Sequence, residues 1–178
     1  MTCIVGLVDG SQVYIGGDSA GVAGYSMTLR ADEKVFINAG FVFGFTSSFR
    51  MGQLLHYAFT PPKQKVEQDL YEYMVVDFVD AVRQCYKGHG WGKKDTDEAE
   101  RGGTFLIGRS GRLFSVQGDF QVCESRSAYQ AVGCGDEYAL GSLHATEGIK
   151  PKTRVLKALE AAEHFSAGVA GPFVVKRL

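Results

Sequence analysis

Apolar positions change their period several times along the chain, and the changes mark its elements. Thr2 to Val8 is a run of apolar and β-branched residues closed by the turn pair Asp9-Gly10, which predicts a strand. Val13 to Gly17 predicts a second strand. Gly21 to Gly24 reads as a turn. Lys34 to Asn38 and Phe41 to Thr46 read as a hairpin around Ala39-Gly40. Several of these runs are apolar on both faces, as in a sheet covered on both sides. From Ser47 the period becomes helical. Ser47 or Ser48 can cap a helix through Phe49, Met51, Leu54, Leu55 and Ala58, ended by Pro61-Pro62. Val66 to Tyr86 predicts a longer helix, with Leu70, Met74, Phe78, Val82 and Cys85 on one face. Gly88 to Gly103 reads as a glycine-rich, charged loop. Strands return at Thr104–Ile107, Leu113–Val116, Phe120–Cys123 and Tyr129–Gly133. Helices follow at Asp136–Ala145 and Pro151–His164, and Pro172–Lys176 closes as a strand. Strands and helices are grouped, not alternated, so the class is α+β: two packed sheets with helices outside.

Composition narrows the function classes. At 178 residues, one domain spanning 1–178 is expected. The formal charge of −1 lacks the basic surplus that nucleic-acid binding requires. No apolar run reaches membrane-spanning length, and the first residues lack a secretory pattern, so a cytoplasmic location without membrane contact is expected. The four cysteines (Cys3, Cys85, Cys123, Cys134) form no C-x-x-C pair and are expected to be free thiols.

Three patterns have plain structural readings. Gly133-Cys134-Gly135 between a strand and a helix resembles a dinucleotide fingerprint, but the required following strand with its acidic residue is missing. A tight strand-to-helix turn is expected instead. Asp95, Asp97, Glu98 and Glu100 fail the EF-hand pattern, and His56, His89, His144 and His164 lack zinc spacing. Neither a metal nor a cofactor is expected, and no P-loop occurs.

Thr2, Asp18 and Lys34 differ from these. If Met1 is removed, Thr2 carries both a hydroxyl and a free α-amine. A threonine hydroxyl is a poor nucleophile until a base takes its proton, and an α-amine with a pKa near 7.7–8.0 serves as that base. A neighbouring ammonium keeps the amine neutral, and a carboxylate holds that ammonium in place. One Thr, one Lys and one Asp at strand ends therefore form an activation unit. Taken singly, each also has an ordinary reading as a strand, turn or surface residue.

The same residues carry a resemblance. Thr2-Cys3-Ile4-Val5-Gly6 resembles the mature start of the proteasome β-type peptidases, including the bacterial HslV group. Ile15-Gly16-Gly17-Asp18-Ser19 resembles their A-[AG]-D-[SG] element, and Glu33-Lys34-Val35-Phe36 their lysine strand. Gly133-Cys134-Gly135-Asp136-Glu137-Tyr138-Ala139 resembles their G-S-G-x-x-Y-A turn. Glu163-His164-Phe165-Ser166-Ala167-Gly168-Val169 resembles their D-x-x-S-G-G-V segment. These matches fall in order along nearly the whole chain.

The resemblance implies the αββα four-layer sandwich of N-terminal-nucleophile hydrolases, with two central, mostly antiparallel sheets. It implies a threonine endopeptidase subunit of a stacked homo-oligomeric ring, acting on unfolded polypeptide. Thr2 would be the nucleophile, with Lys34 tuning its amine and Asp18 orienting Lys34. Cys134, Glu163 and Ser166 would complete the catalytic set. Backbone N–H groups near Ser47 and Ser48 would bind the oxyanion or the substrate strand. Candidate pocket residues are Ala20, Phe36, Phe45 and Phe49, which suggest an apolar preference. The chain departs from the pattern at Cys134 (Ser is usual), at Glu163 (Asp is usual) and at the Gly-poor segment Gly44–Met51. Lacking a nucleotide motif, such a ring would need a separate ATP-dependent unfoldase or gate. A non-catalytic ring or scaffold subunit and an amidase on small amides are the alternatives.

Overall fold

The computed structural model describes residues 1–91 and 102–178. The acidic positions 95, 97, 98 and 100, and most of the loop expected between Gly88 and Gly103, lie outside the described residues.

Side-chain alternation along the strands builds the layers. β1 (Cys3–Asp9) lies between β10 (Tyr129–Gly133) and β2 (Gln12–Gly17), and β2 pairs with β11 (Val174–Arg177). In β1, Cys3, Val5 and Leu7 face one way and pack on α4 (Asp136–Ala145) and α5 (Pro151–Phe165). Ile4 faces the other way. It joins Val13, Ile15, Val35, Val42, Leu106, Leu113 and Val132 between the two sheets.

The second sheet has the order β5 (Val35–Asn38), β6 (Phe41–Phe45), β7 (Phe105–Arg109), β8 (Arg112–Val116) and β9 (Val122–Glu124). Its outer residues Phe36, Phe41, Phe43, Phe45, Phe105 and Phe114 pack on α1 (Phe49–Tyr57), α2 (Leu70–Tyr73) and α3 (Val79–Gly88). The result is helices, sheet, sheet, helices, with every strand pair antiparallel. The sheets approach closely. A Cβ on Gly44 would stand 2.5 Å from Ile4 Cγ2 and 2.7 Å from Ile15 Cγ2.

Two expectations need correction. The turn assigned to Gly21–Gly24 is instead a strand, β3 (Ala20–Ala23), which pairs with β4 (Ser26–Leu29) around Gly24-Tyr25. Among the described residues the hairpin has no further strand neighbour, so its outer residues lack the alternation that marks a buried strand. The long helix begins at Leu70 and not at Val66, because Asp69 caps it by accepting from the N–H groups of Tyr71 and Glu72. It is also interrupted by a π-helical segment, Met74–Phe78. A π turn holds an extra residue. The buried face therefore moves to Val79, Val82 and Tyr86, leaving the predicted Cys85 only half-buried.

Candidate active site

β1 begins at Cys3, so Thr2 stands just before the strand, at its entry. Pairing of Ile4 with Gly17 brings Asp18, just past the end of β2, beside Cys3. Lys34 precedes β5 in the other sheet and reaches across to the first. Thr2 is 4% exposed, and Asp18 and Lys34 are each 2% exposed.

Within this buried space the polar groups are fully used. Lys34 Nζ donates to Asp18 Oδ1 (2.8 Å), to the Ala20 carbonyl (2.6 Å) and to Thr2 Oγ1 (3.0 Å), so all three ammonium protons are engaged. Asp18 also accepts from the N–H of Cys3 and of Ala20, both at 3.0 Å. Burial pulls the Lys34 ammonium below the ordinary lysine value, and the Asp18 charge opposes that pull. Burial pushes the Cys3 thiol far up, so the sulfur next to the candidate nucleophile stays protonated and inert.

The Thr2 hydroxyl donates to the Met1 carbonyl while accepting from Lys34. The Thr2 N–H donates to Cys134 Sγ at 3.2 Å, and that sulfur lies 3.4 Å from Ser166 Oγ. Cys134 thus meets the nitrogen that Met1 removal would turn into an amine, and Ser166 stands behind it against the sulfur. Gly133 makes this approach possible. It has φ +108°, and a Cβ there would collide with the Thr2 carbonyl oxygen. Gly133→Ala should cost about 2 kcal/mol or more, read by urea unfolding, because both the backbone and Thr2 must shift. An unchanged midpoint would show that the site has slack.

Glu163 is not brought to Thr2. Its carboxylate accepts from the Gly171 N–H at 2.7 Å. The neighbouring backbone holds Ser19: Ser19 N–H donates to the Ala170 carbonyl (2.9 Å), and Ser19 Oγ to that of Pro172 (2.6 Å). Glu163 therefore braces the loop that clamps the residue after Asp18. Its extra methylene relative to Asp suits that reach.

The cleft beside Thr2 is a cavity of about 90 Å³ lined by Met1, Thr2, Val22, Phe45, Thr46, Ser47, Ser48 and Phe49. Four predicted pocket residues (Phe45, Ser47, Ser48 and Phe49) are therefore in place. Ala20 and Phe36 are not among the lining residues. Ala20 supplies backbone groups to Lys34 and Asp18, and Phe36 is core, stacked on Phe43 and His56. Ser48 caps α1. Ser47 has φ +75° and accepts from the Thr104 N–H, while the Ser48 N–H is held by the Thr46 carbonyl. Where a glycine would be relaxed, a serine holds a conformation that side chains seldom adopt.

Val22, Thr46 and Arg30 escaped the sequence reading. Val22 lies in the unrecognised hairpin, Thr46 was counted as strand, and the Arg30 guanidinium lies 3.8 Å over the Phe49 ring. Phe45 also walls a second cavity of about 230 Å³ that includes Asp32, Glu33, Gln53 and His56. Among the described residues no cluster suited to a metal ion occurs, and no helix is long and apolar enough to cross a membrane.

Neither a family model nor a curated protein matches the sequence. Solved structures do match the fold. Thiobacillus denitrificans BPH in complex with epoxomicin superposes with TM-score 0.80 at 18% identity, over 99% of this chain and 97% of that one. Eukaryotic HslV from Trypanosoma brucei gives 0.69 at 16%, over 99% and 98%. The Anbu (Gly-1) mutant from Hyphomicrobium sp. strain MC1 gives 0.71 at 14%, over 99% and 82%. The chain therefore has the αββα fold of the HslV and proteasome β-type N-terminal-nucleophile peptidases.

Proposed function

We propose that this chain is a threonine peptidase subunit in which Thr2, once Met1 is removed, is the N-terminal nucleophile. The observation that carries the proposal is the buried contact of Lys34 Nζ with Thr2 Oγ1 at 3.0 Å, made by an ammonium that Asp18 holds at 2.8 Å. An ammonium donating to the hydroxyl stabilises its oxygen as negative charge develops. Removal of Met1 takes away the carbonyl that now receives the hydroxyl proton, and leaves an amine in its place.

In the proposed reaction the Thr2 amine takes the Oγ proton as Oγ attacks the scissile carbonyl. The amine then gives that proton to the leaving peptide nitrogen, and an ester forms on Thr2. Water, deprotonated by the same amine, releases the acid. Cys134 and Ser166 position the amine. An N–H from the Thr46–Ser48 turn binds the oxyanion, which for Ser48 requires release from the Thr46 carbonyl.

In this reading copies of the chain form a stacked, closed ring in the cytoplasm, fed with unfolded polypeptide by a separate ATP-dependent unfoldase or gate. The shared fold supports the ring. So do Tyr25, Met27 and Leu29, large apolar side chains left exposed on the β3–β4 hairpin.

Intact mass before and after an epoxyketone probe tests the proposal, because that probe needs both the hydroxyl and the free amine. Loss of Met1 with one adduct on Thr2 is expected. Loss of Met1 without an adduct would favour a scaffold subunit. An adduct in an open monomer that cleaves only small amides would favour an amidase.

A further inference from the structure

A second polar cavity lies at the other end of the lysine strand. β5 runs from beside Lys34 to Asn38, and its turn, Ala39-Gly40, leads into Phe41. There a cavity of about 440 Å³ opens between Ala39, Phe41, the Pro61–Lys65 segment and Arg109 at the end of β7. Three of its lining residues (Lys63, Lys65 and Arg109) are cations, and none is an acid.

Two of the three cations are not neutralised in place. Among the described residues, Arg109 and Lys63 have no carboxylate partner. Lys65 meets Asp77 only at 3.8 Å, and that acid already accepts from Gln68 Nε2 at 2.6 Å. Arg109 is held in position. Its guanidinium stacks 4.4 Å from the Phe41 ring centroid and 5.8 Å from that of Tyr73. One guanidinium N–H also donates to the Tyr73 hydroxyl, and the remaining N–H groups are donors of the kind that match an oxyanion. The opposite wall is also fixed, because Tyr73 OH donates to the Pro62 carbonyl at 2.7 Å and Gln64 Nε2 to that of Gln68 at 2.8 Å. A half-buried, stacked arginine with two exposed lysines around a cavity is an arrangement that gathers negative charge and fixes its orientation.

We propose that this cavity binds an oxyanion, phosphate or carboxylate, with Arg109 as the bidentate contact and Lys63 and Lys65 closing over it. The site lies at the far end of β5 and β6 from Thr2, so its ligand is separate from the substrate of the cleft.

Titration calorimetry on the full chain tests this, with three probes at constant ionic strength: inorganic phosphate, acetate, and a short peptide with a free or an amidated C-terminus. One bound probe per chain is expected. Arg109→Gln should weaken it roughly ten-fold or more, the loss expected when one charge-assisted pair is removed. Arg126→Gln, an exposed control, should leave it unchanged. Should Arg109→Gln not fold, Lys63→Gln with Lys65→Gln gives the same reading, since both lysines are exposed. Phosphate binding alone assigns the site to a phosphorylated small molecule. Binding of the free-ended peptide but not its amide assigns it to a carboxylate-bearing chain end. Binding of no probe, or equal binding by wild type and pocket variants, overturns the proposal.

Discussion

Thr2→Ala, in protein from which Met1 has been removed, lowers the single-turnover rate of peptide cleavage by about 10⁴-fold or more, the scale of loss when a covalent nucleophile is deleted. The fold should survive. The lost Oγ1 is only one of three Lys34 acceptors, and Asp18 and the Ala20 carbonyl remain. Thermal unfolding of the variant should therefore stay close to wild type while the rate collapses. Thr2→Ser keeps the hydroxyl and the amine and should keep most of the activity. Cleavage by Thr2→Ala at the wild-type rate would place the nucleophile elsewhere. If Thr2→Ala melts early as well, the rate loss has a structural cause, and the Thr2→Ser variant decides between the two.

The second large effect concerns the buried pair. Lys34→Met leaves the Asp18 carboxylate, whose side chain is fully buried, without its counter-charge. Breaking one side of a buried pair costs about 3–5 kcal/mol. Asp18→Asn should cost less, because the amide oxygen can still accept from Lys34 Nζ, and Lys34, already lowered by burial, can shed its proton and escape as a neutral amine. The double variant should recover much of the stability and none of the activity. That outcome separates structural from chemical roles, since stability returns with neutrality but the hydroxyl has still lost its ammonium donor. Equal stability in wild type and Lys34→Met would show that water reaches the site.

The pair also sets a pH dependence. Burial lowers the Lys34 value in the folded state below the ordinary 10.5. In the window between the lowered value and 10.5 the unfolded chain binds the extra proton, so folding stability rises with pH there. Urea midpoints measured across that window should climb in wild type and not in Lys34→Met. Activity titrates at the other end. If the Thr2 amine is the base, as proposed, it must be neutral and the rate should rise with pH. The adjacent ammonium favours the neutral amine and so should lower the midpoint of that rise. Replacing Lys34 should raise that midpoint.

The architecture and the central triad were both legible in the residues. Apolar runs bounded by turn pairs marked nine of the eleven strands, because a strand between two packed layers must be apolar on both faces. The two strands that escaped, β3 and β4, form a hairpin that pairs with no other strand among the described residues, and the start of the long helix was set by Asp69, whose capping role was not read. Thr2, Asp18 and Lys34 were identified by chemical complementarity, and the folded chain brings those three together.

Other roles depended on the third dimension. Phe36 and Phe45 lie on the same outer face of one sheet, two aromatic residues with identical local credentials. One stacks on Phe43 inside the core, and the other reaches the cleft because Gly52 of α1 leaves room for its ring. The family resemblance places Glu163 in the catalytic set, and helix α5 delivers it to the Gly171 N–H. Ser47 gives no sign in the sequence of its φ of +75°. Sequence determines which faces must be buried and which functional groups are available, because burial follows from side-chain chemistry at a fixed period. Distances between groups far apart in the chain follow from how the layers close on one another, and only the tertiary structure settled which acid and which phenylalanine stand near Thr2.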